Sequence, residues 1–455
     1  MADLQPIELN RPQYVMAPEA LVTALAWMVF TSPDAYPSQT RPVAYIYRSE
    51  ASRARSLDLR TTYPYGSGAL LEFTAGLAGI HAQGAEEQDL VGLAVASSIQ
   101  GTRPRNGKGQ LASPLTPHLA LLQDVRGFQG TAHPPDYGRI LEQLYRLGIP
   151  AGESRAHPAL LWLNAADRRR QQDVMLGHID AAVASALLPF QVVRNSQQAL
   201  PMRGIWNLEH TPFSWFVEAW GKLTRPDWVD ALPARVWVDW ATTVLRLALG
   251  LGYLWEAAWY ESLGRRIVSG STEFDDIAKG LPEVVPWRPS DAKTSVRDVA
   301  SLLLWRVRRG NKVRDVLQKR IGPEKSSSLD LRDPGFLKDI DSALSNPGTA
   351  VNTWEAIRYA LMTRDPAGPF ADHYGLLRSS GRFLWVQPGT EWMAVVASLA
   401  CDAPDGKTDV RHVMGALRAL GLQPELRDVL LLLEAAGLAR GSADADYGVE
   451  VRSAF

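Results

Sequence analysis

One cysteine, Cys401, stands among 455 residues. That excludes an intrachain disulfide and a cysteine zinc cluster, fits a reducing cytosol, and makes a cytoplasmic location the expectation. Net charge is also scarce, since 48 Lys and Arg against 49 Asp and Glu leave a formal −1. The opening residues, MADLQPIELNRPQYV, lack a charged segment followed by an apolar core, so no secretion signal is read. The longest apolar run, 240–260 (WATTVLRLALGLGYLWEAAWY), has the length of a membrane span. It contains Arg246 and Glu256, and a central Arg costs about 2.5–3.5 kcal/mol on insertion scales. A buried helix, without membrane contact, is expected.

Catalytic motifs are missing too. In GTRPRNGKGQ (101–110), Gly101 and Gly107 enclose one residue too many for a P-loop, and Gly109 occupies the position of the hydroxyl that would reach Mg²⁺. GLGYLW (250–255) ends on Trp255 where a dinucleotide fingerprint needs Gly, and it lies in a helical run. The eight His show no zinc-binding spacing, and no G-x-S-x-G elbow occurs. Glu209–His210 could act as an acid–base pair, but its place before a helix cap favours a structural role. Asp444 and Asp446 form a D-x-D that reads as turn chemistry. No cofactor and no metal are expected. Acids brought together only by folding remain compatible with the sequence.

What is present is globular and helical. Hydrophobic residues make up 46% and charged residues 21%, a composition that can bury a core rather than stay disordered. The length leaves room for roughly two to four domains. Ala, Leu, Arg and Gly dominate, as in high-GC bacterial coding. Helices are predicted over 17–30, 68–80, 86–99 and 136–148, with a short strand at 41–50 and an exposed loop at 101–117. The stretch 158–188 reads as one long helix or two. Thr211–Pro212 and Asp333–Pro334 mark helix starts. The run 236–266 is the longest helix. Boundaries near 270–290 and 379–381 divide the chain into an N-terminal helical region (1–150), a Trp-rich helical core (151–270), a basic helical region (290–380) and a C-terminal domain (382–455). The fold class is mainly α: a large multi-helix body with few short strands, plus that α+β domain. Eight of fifteen Trp lie between Trp206 and Trp259; their helical spacing favours a core over an aromatic groove.

The C-terminal stretch is ordered as RFLWV (382–386), then helices in TEWMAVVASLACDA, TDVRHVMGALRALG and PELRDVLLLLEAAG, then two strands around a polar loop in LARGSADADYGVEVRSAF. Over these 74 residues the chain resembles a winged-helix domain. The resemblance implies a third helix able to enter a DNA groove. From Arg382 onward, however, seven basic residues face ten acidic ones, and the third helix carries Glu425, Asp428 and Glu434 against Arg427. Phosphate would repel such a helix, so a protein-docking role is expected, with direct DNA binding the alternative.

Only residues 301–380 are net basic, with 13 cations against 9 acids. LLLWRVRRGNKVRDVLQKRIG (302–322) holds Arg306, Arg308, Arg309, Lys312, Arg314, Lys319 and Arg320, with Asp315 as its sole acid. Two helices are expected here, the first ending at Arg306–Arg309 and the second starting after Gly310. Arg168, Arg169 and Arg170, and Arg103, Arg105 and Lys108, could extend the surface along a nucleic-acid backbone. The opposing reading is a solvated helix end or an acidic partner. The expectation is a non-catalytic subunit of a bacterial multiprotein complex acting on nucleic acid, of DNA-restriction or phage-defence type, with other protein subunits as partners. The alternatives are a winged-helix regulator, a nuclease-like enzyme assembled in the fold, and a protein scaffold.

Overall fold

Side chains that satisfy the first free N–H groups of a helix fix several starts in this computed structural model. It describes residues 7, 9–12, 18–26, 28, 30–31, 99, 113–121, 137–187, 193–194, 199–201, 210–271, 281, 283–287, 298–321, 330–363, 372–440 and 449–455. The strand expected at 41–50, the helices at 68–80 and most of 86–99, and Arg103, Arg105, Lys108, Glu209, Asp444 and Asp446 lie outside them.

The described chain is mostly helical, with nine short strands in four small sheets. In the first half, α1 (Glu19–Ala26), α2 (Tyr137–Leu147), α3 (Pro158–Gln172) and α4 (Val174–Leu187) precede α5 (Pro212–Leu223) and α6 (Pro226–Ala231). The stretch 158–188 is thus two helices, parted at Asp173, whose backbone is extended. Thr211 accepts from Ser214 N while the Ser214 hydroxyl accepts from Thr211 N, a reciprocal cap with Pro212 in the first turn. Then come α7 (Ala234–Val268, 35 residues), α8 (Ala300–Ile321), α9 (Pro334–Ser345) and α10 (Val351–Leu361). Asp333 caps α9 through Gly335 N and Phe336 N.

The break expected at Gly310 does not occur. α8 runs unbroken through it because Gly310 is buried where α8 crosses α7, close over Ala257. There the missing Cβ lets two backbones approach; it does not end a helix.

The remaining elements are a hairpin of β5 (Leu377–Ser380) and β6 (Phe383–Val386), then α11 (Thr390–Ala400), β7 (Lys407–Asp409), α12 (Val410–Ala419), α13 (Leu426–Ala435), β8 (Ala439–Arg440) and β9 (Glu450–Arg452). The strand expected at 382–386 forms, but it pairs with 377–380. The last two strands instead take β7 as their neighbour, in the order β7-β9-β8. Asp409 caps α12 through Arg411 N and His412 N, and Lys407–Asp409 runs extended before that helix, paired with β9. Gly421 and Gly437, at φ 76° and 72°, close α12 and α13 in the left-handed conformation. The two-stranded pairs β1 (Phe30–Thr31) with β3 (Val193–Arg194) and β2 (Ser154–Ala156) with β4 (Ala199–Pro201) complete the sheets.

The core is centred on α7. Trp215, Trp220, Trp228, Trp237, Trp240, Trp255 and Trp259 are all buried; Trp206 lies outside the described residues. Trp162 stacks on Trp237 at 3.9 Å with planes 3° apart, and Trp220 lies 5.7 Å away. Two of the three indole N–H groups are bonded, Trp220 Nε1 to Pro158 O (2.9 Å) and Trp237 Nε1 to Leu223 O (3.0 Å), while Trp162 Nε1 is buried with no partner among the described residues. Arg246, buried on α7, donates to Ala360 O and Met362 O at the end of α10 and pairs with Asp372 at 2.8 Å. The charges inside the apolar run 240–260 are therefore internal ties. No helix among the described residues is long and apolar enough to cross a membrane.

Candidate functional site

α8 buries Leu303, Val307, Gly310, Val313, Arg314 and Leu317, which recur at helical spacing along one side. The opposite side carries Ser301, Trp305, Arg308, Lys312, Asp315 and Lys319. This rotation divides the seven cations of 302–322. Arg314 is 7% exposed, donates to Leu9 O at 2.8 Å and lies 3.7 Å from Glu256. Arg309 donates to Leu344 O at 3.0 Å and pairs with Glu261 at 3.1 Å. Arg306 donates to Val284 O, and burial pulls its guanidinium below its usual value against the opposing pull of Glu261. Arg320 reaches Asp339 at 2.7 Å and Asp333 at 3.5 Å. These four cations tie α8 to its neighbours.

Arg308, Lys312 and Lys319 face outward, and among the described residues none has a carboxylate in an ion pair. Arg308 lies 5.7 Å and Arg309 5.3 Å from the ring of Trp305, whose side of the helix is open: Trp305 is 41% exposed. A guanidinium-flanked indole followed by two lysines along one face can offer both a flat ring and phosphate-binding charge.

Arg168, Arg169 and Arg170 serve the body instead. Arg168 binds Asp230 (2.7 Å). Arg169 donates to Val229 O and Leu232 O at the end of α6 while lying 5.4 Å from the ring of Trp237. Arg170 pairs with Asp167 at 2.8 Å and sits 3.6 Å from Asp180. Runs of three consecutive Arg point around a helix, so they cannot share one surface.

A cleft of about 770 Å³ opens between α5, the end of α2 and the α11–α12 pair. His210, Glu218, Lys222, Asp402, Arg411 and His412 line it. His210, exposed, is held at φ 57°, immediately before the Thr211 cap. Much of the charge here is internally matched. Lys222 Nζ donates to Leu399 O (2.9 Å) and Cys401 O (3.0 Å) at the end of α11, and Arg411 and His412 both face Asp409 at 3.2 Å. Among the described residues no His, Cys, Asp and Glu group could hold a metal ion.

Two acidic sites within the body are held by neighbouring cations and amides. Asp180 accepts from His118 N and faces His118 Nδ1, both at 2.9 Å; these bonds outweigh burial and hold it below the usual carboxylate range. Asp239 shares Arg235 (2.8 Å) with the buried Glu19 (3.1 Å). Burial raises Asp239 to about 6, against the pull of Arg235 and with help from Glu19 and Asp372. The folded state therefore favours the protonated acid, and stability from this group is present at low pH and lost as pH rises through about 6. The melting temperature should fall between pH 5 and pH 7.5, by the equivalent of about 1.4 kcal/mol, the share of the shift that lies above pH 5. Asp239→Asn should flatten that slope; an unchanged slope would assign it to other groups.

Comparison with protein-family models gives no match, and comparison with curated proteins gives no significant similarity, so the functional reading rests on this geometry alone.

Proposed function

We propose that this chain is a non-catalytic subunit of a protein assembly acting on nucleic acid, contacting the backbone through the outer face of α8. One observation carries the reading: Arg308, Lys312 and Lys319 share a helix face with a half-open indole, with Asp315 the one acid on that face, and none of the three forms an ion pair among the described residues. Cations that a fold does not use internally, lined up along about 17 Å of helix (eleven residues at 1.5 Å each), match the spacing of an anionic polymer.

The C-terminal stretch supports partner docking. Its order from α11 to β9, with sheet order β7-β9-β8, agrees with a winged-helix arrangement. The exposed positions of α13 and its cap are Glu425, Arg427, Leu431, Glu434 and Ala435, with Leu431 55% exposed. An acidic and apolar surface of that kind suits a protein rather than phosphate.

The test is a salt series of labelled-DNA binding, comparing wild type with Arg308→Glu/Lys312→Glu/Lys319→Glu. Lys312 and Lys319 are exposed and Arg308 is half-buried beside Trp305, so a melting curve first establishes that the variant is folded. Binding should weaken steeply with salt in the wild type, and the variant should lose affinity and roughly two to three charges' worth of salt slope. Equal binding by a folded variant would overturn the reading and leave a scaffold without nucleic-acid contact.

A further inference from the structure

Besides Trp305, one other exposed aromatic occurs among the described residues: Phe383, 49% exposed, the first residue of β6. It follows the tight turn at Gly381–Arg382, where Gly381 has φ 58°. Arg382 lies 5.2 Å from its ring. In β6 side chains alternate, so Leu384 enters the core while Phe383 and Trp385 share the outer face. Across the hairpin Ser380 is paired with Phe383 and Arg378 with Trp385. Arg378 Nε is buried with no hydrogen-bond partner among the described residues. The outer face of the hairpin therefore carries two aromatic rings, with the Arg382 guanidinium beside one and Arg378 paired across the strands from the other.

This hairpin adjoins the start of α8. Val299 N donates to Leu384 O (2.7 Å), and Leu384 N donates to Asp298 Oδ1 (2.9 Å). Leu384 and Leu303 belong to the same core, so both elements turn their other faces outward. Beyond that junction the side of α8 opposite Leu303 carries Trp305, the half-buried Arg308, Lys312, Asp315 and Lys319. Trp305 and Lys319 are about 21 Å apart along the helix. Each end of the aromatic section carries the same unit, an exposed ring with a guanidinium beside it.

We infer that the hairpin face and the α8 stripe form one binding surface for single-stranded nucleic acid, in which Phe383, Trp385 and Trp305 stack on bases while Arg382, Arg308, Lys312 and Lys319 hold phosphates. This rests on the proposed contact at α8 and adds the strand state of its ligand. A duplex offers phosphates to such a surface but keeps its base faces stacked inside, so the exposed rings would have no partner there. A single strand presents both, and stacking tolerates any sequence because every base has a π-face.

The full-length chain is tested with labelled oligothymidylate, oligouridylate and a duplex of equal length. Single strands should bind more tightly than the duplex. Trp305→Ala and Phe383→Ala should each weaken single-strand binding about 5- to 100-fold without changing its salt slope, while Trp305→Tyr and Phe383→Tyr largely retain it. Equal loss on both oligonucleotides identifies a surface indifferent to the sugar, and loss on one identifies DNA or RNA as its ligand. Ultraviolet crosslinking of oligothymidylate to the unsubstituted chain, which needs no variant to fold, should mark the peptides holding Phe383 and Trp305. Duplex binding as tight as single-strand binding, alanine variants with wild-type affinity, or crosslinks only elsewhere would overturn the inference. If the α8 charge-reversal variant still loses binding in that event, the backbone contact stands without stacking. If no nucleic acid binds at all, both readings fall together.

Discussion

Replacing Arg314 by leucine should destabilise the protein by about 3–5 kcal/mol. Glu256 is 1% exposed and has two cations, Arg11 at 3.1 Å and Arg314 at 3.7 Å. Arg314 is the buried one, and it also satisfies Leu9 O. Without it a carboxylate remains inside the core with one partly exposed guanidinium, and a backbone carbonyl loses its donor. The double substitution Arg314→Leu/Glu256→Leu should recover much of the loss, because removing a buried pair costs far less than orphaning one member. Urea midpoints of the wild type, both single variants and the double variant supply the cycle. A cost near zero for Arg314→Leu would mean that Arg11 alone neutralises Glu256. The same result bears on binding assays, since reversing Arg314 would abolish binding by unfolding the chain, whatever the surface does.

Gly310→Ala should be the costlier of two nominally identical changes. A Cβ at Gly310 would lie 2.3 Å from Ala257 O and 2.5 Å from Ala257 Cα, so α7 and α8 must move apart along their contact. Nearby, Gly264 on α7 meets a methyl of Val313 on α8 with somewhat more room, at 2.9 Å. Overpacking of this kind costs about 1–3 kcal/mol, and here the obstacle is backbone, which yields least. Gly415→Ala, in the middle of α12, meets nothing within 4 Å. It should stabilise by about 0.5–1 kcal/mol, through the smaller conformational freedom of alanine in the unfolded chain. Thermal melts of the two variants should therefore move in opposite directions. Matching shifts would mean that the helices separate at no cost.

The two glycines show why helix punctuation was only partly legible. Gly421 ends its helix, because a left-handed residue there satisfies carbonyls within that same helix. Gly310 looked the same in the sequence, yet it serves a contact with Ala257, 53 residues earlier in the chain. The hairpin carrying Phe383 was half legible. Its second strand could be seen in RFLWV, but its pairing with 377–380 rather than with the last strands depends on which segments the fold brings beside it.

The sequence by itself determined what depends on neighbours within a turn or two. It set the helical character, the caps at Thr211, Asp333 and Asp409, the apolar period that buries the tryptophans, and the concentration of positive charge in 302–322. Only the tertiary structure decided which of those cations are available. Arg314 meets a carbonyl 305 residues away, Arg309 one 35 residues away, and Arg169 carbonyls about 60 residues away. A charge run records how many cations a segment holds, while the rotation of the helix against its core sets which of them desolvate and pair. On α8 that rotation turned Arg306, Arg309 and Arg314 toward the body and left Trp305, Lys312 and Lys319 facing solvent, with Arg308 half-buried beside Trp305.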